Sequence, residues 1–221
     1  MVILSREASS NRTERSTCYC ERVTSVRPLR SDAARNRESL LSAAAAEFAE
    51  RGLDASVADI ARRAGVGKGT VFRHFATKDD LIAAIVLDRV NALNGVGEGL
   101  LESADPGAAL LEFLTVAAEQ RQQRDLSFLQ EAGDLSAEVI EARSRMFQTI
   151  HALVDRARSQ GAVRGDVTGS DVILLMCAPG YVTSYVPDAP PGLWRRYLAL
   201  IFDGLRPDGA SPLPHPPPAG P

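Results

Sequence analysis

Within Lys68-Gly-Thr-Val-Phe-Arg-His74 stand two cations, a hydroxyl and an imidazole. If these residues form a helix, Val71 and Phe75 share its inner side at i and i+4. Lys68, Gly69, Thr70, Arg73 and His74 then turn outward. Such groups on a groove-sized helix are suited to base edges and phosphates of double-stranded DNA. At 1.5 Å per residue the helix is only about 10 Å long, so one copy reads few base pairs and useful specificity calls for a dimer. Gly65-Val-Gly67-Lys68-Gly69-Thr70 also has the look of a phosphate-binding loop. Position 62 is Arg, however, Gly follows Lys68, and the run follows a helical pattern where a strand is required, so the nucleotide reading fails.

No residues point to catalysis. His74 and His151 are the only histidines outside the Pro-rich tail, and neither has nucleophile or metal-ligand spacing. Cys18-Tyr-Cys20 lacks a second Cys/His pair, and an odd total of three cysteines suits a reducing compartment. No catalytic residue, metal or cofactor is expected. The longest uncharged stretch, Val172 to Pro187, is interrupted by Pro179 and Gly180 and falls short of the roughly 20 residues of a membrane span. Met1–Leu4 is too short an apolar run for a signal peptide. The expectation is a soluble cytoplasmic protein with no membrane partner.

The elements that must position the Lys68–His74 segment are helical throughout, and the predicted fold class is all-α. Of 221 residues 45% are apolar and 24% charged, ordinary for a globular chain. The net charge of −3 divides unevenly: residues 1–90 hold 15 basic against 12 acidic groups, and residues 91–221 hold 10 against 16. That asymmetry suits a polyanion partner at the N-terminal end. Leu40, Leu41, Ala44, Ala45, Phe48 and Ala49 predict an amphipathic helix over about 32–51, closed by Gly52. Ser56-Val-Ala-Asp59 and Thr77-Lys-Asp-Asp80 read as capping boxes that open two further helices. A break is expected at Gly95, Gly97 and Gly99, then helices opening at Pro106 and Ser136, one over about 169–185 kinked at Pro179, and one over about 192–205. Residues 1–30 read as a disordered basic arm and 207–221 as a Pro-rich disordered tail.

Residues 56–75 therefore have the grammar of a helix-turn-helix: a capped helix with Val57, Ile60 and Ala61 inward, a tight turn at Gly65-Val66-Gly67, and the helix described above. The run SVADIARRAGVGKGTVFRHFATKDDLIAAI, after a helix ending FAERG, resembles the DNA-binding domain of the TetR/AcrR family of transcriptional regulators over about residues 36–90. The resemblance implies a three-helix DNA-binding domain over 31–94 and a regulatory, dimerising domain over 95–206 that binds a small effector. It also implies that Ser56 meets a phosphate, that Lys68, Gly69, Thr70, Arg73 and His74 enter or flank the major groove, and that Lys78 meets a backbone phosphate. Gly67 and Phe72 occupy contact positions where the family often has Ser and Tyr, so each lacks a hydroxyl for phosphate. The arm's Arg12, Arg15, Arg22, Arg27 and Arg30 could compensate, or simply be solvated.

The implied function is a dimeric repressor released from its DNA operator by a small molecule. The alternative is an α-helical enzyme or adaptor whose helix-turn-helix is only structural. Phe113, Phe128, Met146, Phe147, His151, Met176, Tyr181 and Tyr185 could line an effector pocket, although residues at this spacing also suit plain core. The last two helices are apolar on more than one side, which predicts a homodimer interface with Trp194, Tyr197, Leu198 and Ile201 as contacts. Trp194 could instead close its own subunit's core.

Overall fold

Helix α1 (Leu29–Arg51) opens the part of the chain described by the computed structural model, which covers residues 29–123 and 136–218. It turns Leu40, Leu41, Ala44, Ala45 and Phe48 into the interior, while Ala49 falls outside that stripe and is exposed. A 3₁₀ turn (Gly52–Asp54) leads to α2 (Val57–Arg63), α3 (Lys68–His74) and α4 (Lys78–Leu100). Then follow α5 (Pro106–Gln123), α6 (Ala137–Ser159), α7 (Gly169–Leu175), α8 (Ala178–Thr183) and α9 (Leu193–Gly204). The fold is all-α.

Local chemistry sets most of these boundaries. Ser56, Thr77, Ser136 and Thr168 each accept the backbone N–H three residues on, and Thr77–Asp80 and Thr168–Asp171 are complete reciprocal capping boxes. Asp105 Oδ1 accepts from the Ala108 N–H at 2.9 Å, and Pro106 follows in the first turn of α5. Gly65 takes φ +69°, the left-handed conformation that lets the chain double back between α2 and α3.

Two expectations are corrected. The glycines at 95, 97 and 99 do not break a helix, because α4 runs through all three to Leu100. Gly97 is buried, and a Cβ there would lie 2.6 Å from Thr149 Cγ2 and 3.0 Å from Phe113 Cε2, so it marks where α4 meets α5 and α6 most closely. Nor is there one kinked helix over 169–185. The chain forms α7 and α8 separately, with Pro179 in the first turn of α8, where its missing N–H costs nothing.

The buried side chains fall into two cores. The first joins α1, α2, α3 and the Leu81–Val90 part of α4. The second joins Leu93, Leu110, Phe113, Leu114, Ile150, Leu153 and Val154 with Trp194, Leu198 and Phe202. Helix α6 bridges them. Its first turns place Val139 and Ala142 in the first core, and Met146 packs against both. Asn94 of α4 donates to the Ala142 carbonyl at 3.0 Å in a buried bond, and Arg145 donates to Asn91 at 3.2 Å. At the far end of α4, Arg156 bonds the carbonyls of Leu101 and Ser103, satisfying acceptors that a helix end leaves open.

Candidate nucleic-acid interface

The inner side of α3 is closed. Val71 is 1% exposed and Phe75 5%, both seated against Ile60, Ala61 and the α1 stripe. The outer side carries Lys68, Gly69, Phe72 and Arg73, all exposed, with Thr70 and His74 half-buried at its edges. Arg73 donates to Thr70 Oγ1 at 3.2 Å, so cation and hydroxyl lie together one turn apart. A Cβ at Gly67 or Gly69 would meet nothing within 4 Å. The fold therefore does not require those two glycines, and the backbone at the start of α3 stands bare. Phe72, 51% exposed, offers an apolar surface on this polar side.

A charge network holds α2 at its angle to α1. Arg63 pairs with buried Glu47 at 2.9 Å and with Glu50 at 2.6 Å, and Arg51 reaches Asp59 at 3.0 Å. Asp59 also takes the Ser56 hydroxyl at 2.6 Å and the Arg62 guanidinium. The Ser56 hydrogen bond, then Arg62, hold the Asp59 carboxyl below its ordinary range, and Arg63 does the same for Glu50. The Ser56–Asp59 pairing is legible as a capping box, whereas the links of Arg63 to Glu47 and Glu50 and of Arg51 to Asp59 are not, because each joins residues of different helices.

Two residues expected at phosphates are engaged within the protein. The Ser56 hydroxyl spends its single proton on Asp59 and accepts from the Asp59 N–H, which is half of the expected capping box, with Arg51 and Arg62 drawing the carboxylate away. Lys78 is likewise engaged within the fold. Its ammonium bonds the Leu53 carbonyl and lies 5.5 Å from the centre of the Phe48 ring.

Around the second core, Phe113 is wholly buried against the Gly97 crossing, while Met146, Phe147 and Met176 are half-buried. His151 is half-buried beside the start of α7, where a Cβ on Gly169 would come within 2.5 Å of its ring. Tyr181 does not face an interior pocket. It is 64% exposed, stacked edge-on with exposed Tyr185, and the two hydroxyls are 2.5 Å apart. Phe128, like Arg12, Arg15, Arg22 and Arg27, lies outside the described residues. Trp194 and Leu198, expected at the interface, are each 5% exposed and pack into their own subunit's core, because α9 turns its Trp194–Leu198–Phe202 stripe inward. Tyr197 and Ile201 remain half-covered.

A three-helix unit presenting one short polar helix face, joined by a shared helix to a second all-helical core, defines a helix-turn-helix DNA-binding regulator. Residues 40–85 match the family described as bacterial regulatory proteins, tetR family, and residues 105–207 match the SbtR-like transcriptional regulator C-terminal domain. A TetR transcription regulatory protein from Mycobacterium vanbaalenii is 35% identical, covering 81% of this chain and 99% of that one, with a TM-score of 0.61. The TetR regulator SCO0520 from Streptomyces coelicolor is 31% identical over 78% of this chain and 99% of its own, at a TM-score of 0.58. The transcriptional repressor KstR2 of Mycolicibacterium smegmatis is 27% identical over 190 residues, 79% of this chain and 93% of the relative. The chain belongs to the TetR family of bacterial transcriptional regulators, which are not enzymes. Among the described residues, no helix is long and apolar enough to cross a membrane.

Proposed function

We propose that the protein is a homodimeric repressor that grips a DNA operator with two copies of α3 and lets go when a small molecule enters the regulatory half. The observation that carries this reading is the outer face of α3. Lys68, Phe72 and Arg73 stand exposed while Val71 behind them is 1% exposed. Lys68 and Arg73 suit phosphates and guanine edges, Thr70 either, and Phe72 the methyl group of thymine. On this reading Lys78 and Ser56 exchange their internal partners for phosphates when DNA arrives, and residues 1–30, 31–94, 95–206 and 207–221 serve as arm, reading unit, regulatory unit and tail.

The second copy is supported by apolar surface left over on the last three helices. Leu174 is 60% exposed, Tyr185 69% and Leu200 57%, with Tyr181 and Val182 beside them. A partner subunit laid on this surface would cover them together with half-exposed Tyr197 and Ile201. The effector is supported by the half-buried Met146, Phe147, His151 and Met176, which border the second core without being sealed in it. Release would follow from the α4–α6 seam. A ligand that shifts α6 shifts Val139 and Ala142 within the reading unit and so changes the separation of the two α3 helices, which must match about 34–36 Å of DNA.

The test is to select genomic fragments bound by the purified dimer, measure the salt dependence of binding, and screen metabolites for release. A steep fall of affinity with salt and a protected palindrome are expected. Salt-independent binding, or no preferred fragment, would overturn the reading.

A further inference from the structure

The buried polar groups of the regulatory half mostly have partners. Arg156 caps α4, and Arg158 bonds Asp155 through Nη1 at 3.1 Å and the Gly165 carbonyl through Nη2 at 2.9 Å, although its Nε is enclosed without a partner among the described residues. Arg143, on α6, differs. Its side chain is half-buried, and its Nη2 is closed off from solvent with no acceptor among the described residues to take it. A guanidinium holds its charge under all ordinary conditions, so an enclosed nitrogen of that group without an acceptor costs stability that an anion would restore. Its pKa is pushed down by burial.

At 100° per residue along α6, Arg143 falls on one stripe with Phe147, Ile150 and Val154. Ile150 and Val154 are wholly buried in the second core, and Phe147 packs against it. The stripe thus looks into the regulatory half, with the cation at one end and apolar side chains along the rest. The nearest other cation in the chain, Arg145, points elsewhere: it is exposed and bonds Asn91. A planar guanidinium fork matches the two oxygens of a carboxylate.

We infer that Arg143 anchors an amphipathic monocarboxylate, whose two oxygens take the guanidinium fork while its apolar body lies along Phe147 and the half-buried Met176. This rests on the effector-binding reading above and names the chemical class of that effector. It also places the anchor beside the seam between the two halves. Ala142, the adjacent residue, is buried in the first core and its carbonyl holds Asn94. An anion drawn onto Arg143 therefore pulls on the turn of α6 that touches the reading unit.

Calorimetric titration of the full-length protein with sodium decanoate and with decan-1-ol separates headgroup from tail. The wild type is expected to bind decanoate about tenfold or more tighter than the alcohol. Arg143→Gln should remove that preference while leaving decanol affinity unchanged, and Arg143→Lys, which keeps charge without the fork, should fall between. Melting of Arg143→Gln without ligand is expected at or above the wild-type temperature. No decanoate binding at millimolar concentration, equal binding of acid and alcohol, or equal loss of both in the variant would overturn the proposal. Headgroup-selective binding with unchanged operator affinity would support the anchor and overturn release by the effector, so the two failures are told apart.

Discussion

Helices α3 and α9 are both short, and both bury one apolar stripe, yet they treat their other side in opposite ways. Helix α3 seats Val71 and turns out Lys68, Thr70 and Arg73. Helix α9 seats Trp194, Leu198 and Phe202 and still leaves Leu200 57% exposed, with Tyr197 and Ile201 half-covered. A polar outer face keeps its water until a hydrated polyanion displaces it. An apolar outer face is satisfied only by another apolar surface. On the proposed function, the difference separates a helix shaped for nucleic acid from one shaped for protein.

The comparison breaks most visibly at Trp194. Since its ring is 95% covered within one subunit, Trp194→Ala should destabilise the fold by about 3–5 kcal/mol, read by thermal or urea unfolding. Leu200→Glu should instead leave unfolding close to wild type and convert a dimer to a monomer by light scattering. A monomer from Trp194→Ala with intact stability, or a dimer from Leu200→Glu, would reverse the assignment of the two faces of α9.

A second contrast lies within α4. Gly97→Ala pushes a methyl group against Thr149 and Phe113 and should cost about 1–3 kcal/mol of stability. Gly95→Ala and Gly99→Ala meet nothing within 4 Å and should gain about 0.5–1 kcal/mol each, because alanine loses less entropy in a helix. Equal melting temperatures for the three variants would remove the close crossing from the account.

On α3, Lys68→Ala or Arg73→Ala should weaken operator binding by about 1–3 kcal/mol, seen by fluorescence anisotropy, with melting nearly unchanged. Unchanged binding in both would show that α3 does not face DNA. The smallest effect is expected on acidification. Asp59 ionises at lower pH in the folded protein than in the unfolded chain, chiefly through the Ser56 hydrogen bond and then Arg62. Whatever stability it adds is complete above its unfolded pKa and disappears as pH falls through the folded one. Asp59→Asn should flatten the acid limb of the stability profile, and an unaltered limb would remove Asp59 as a contributor.

The helix-turn-helix was legible because its signals are local. Caps at Ser56 and Thr77, the left-handed Gly65 and the i, i+4 pair Val71/Phe75 each act within a few residues, and α2, α3 and the start of α4 follow them. The helices around the second core were less legible because their signals depend on distant partners. Gly97 reads as a helix breaker until Phe113 and Thr149 are set against it, and Trp194 reads as spare apolar surface until the second core closes over it. The phosphate contact of Lys78 is what the family resemblance implies, and the Leu53 carbonyl that it bonds lies 25 residues away, beyond the reach of local signals. Arg143 gave no sequence signal, since an unpaired cation and a solvated one look alike in a string of letters.

The seating of Val139 and Ala142 in the first core bears on how such regulators can be recombined. A fragment ending with α4 would leave the sockets of those two side chains, and the buried Asn94 amide, facing water. A chimera that grafts this reading head onto a foreign sensor must therefore carry the opening turns of α6 with it, or supply a helix that fills the same sockets. The portable module is discontinuous, made of the first four helices and a short piece of the sixth.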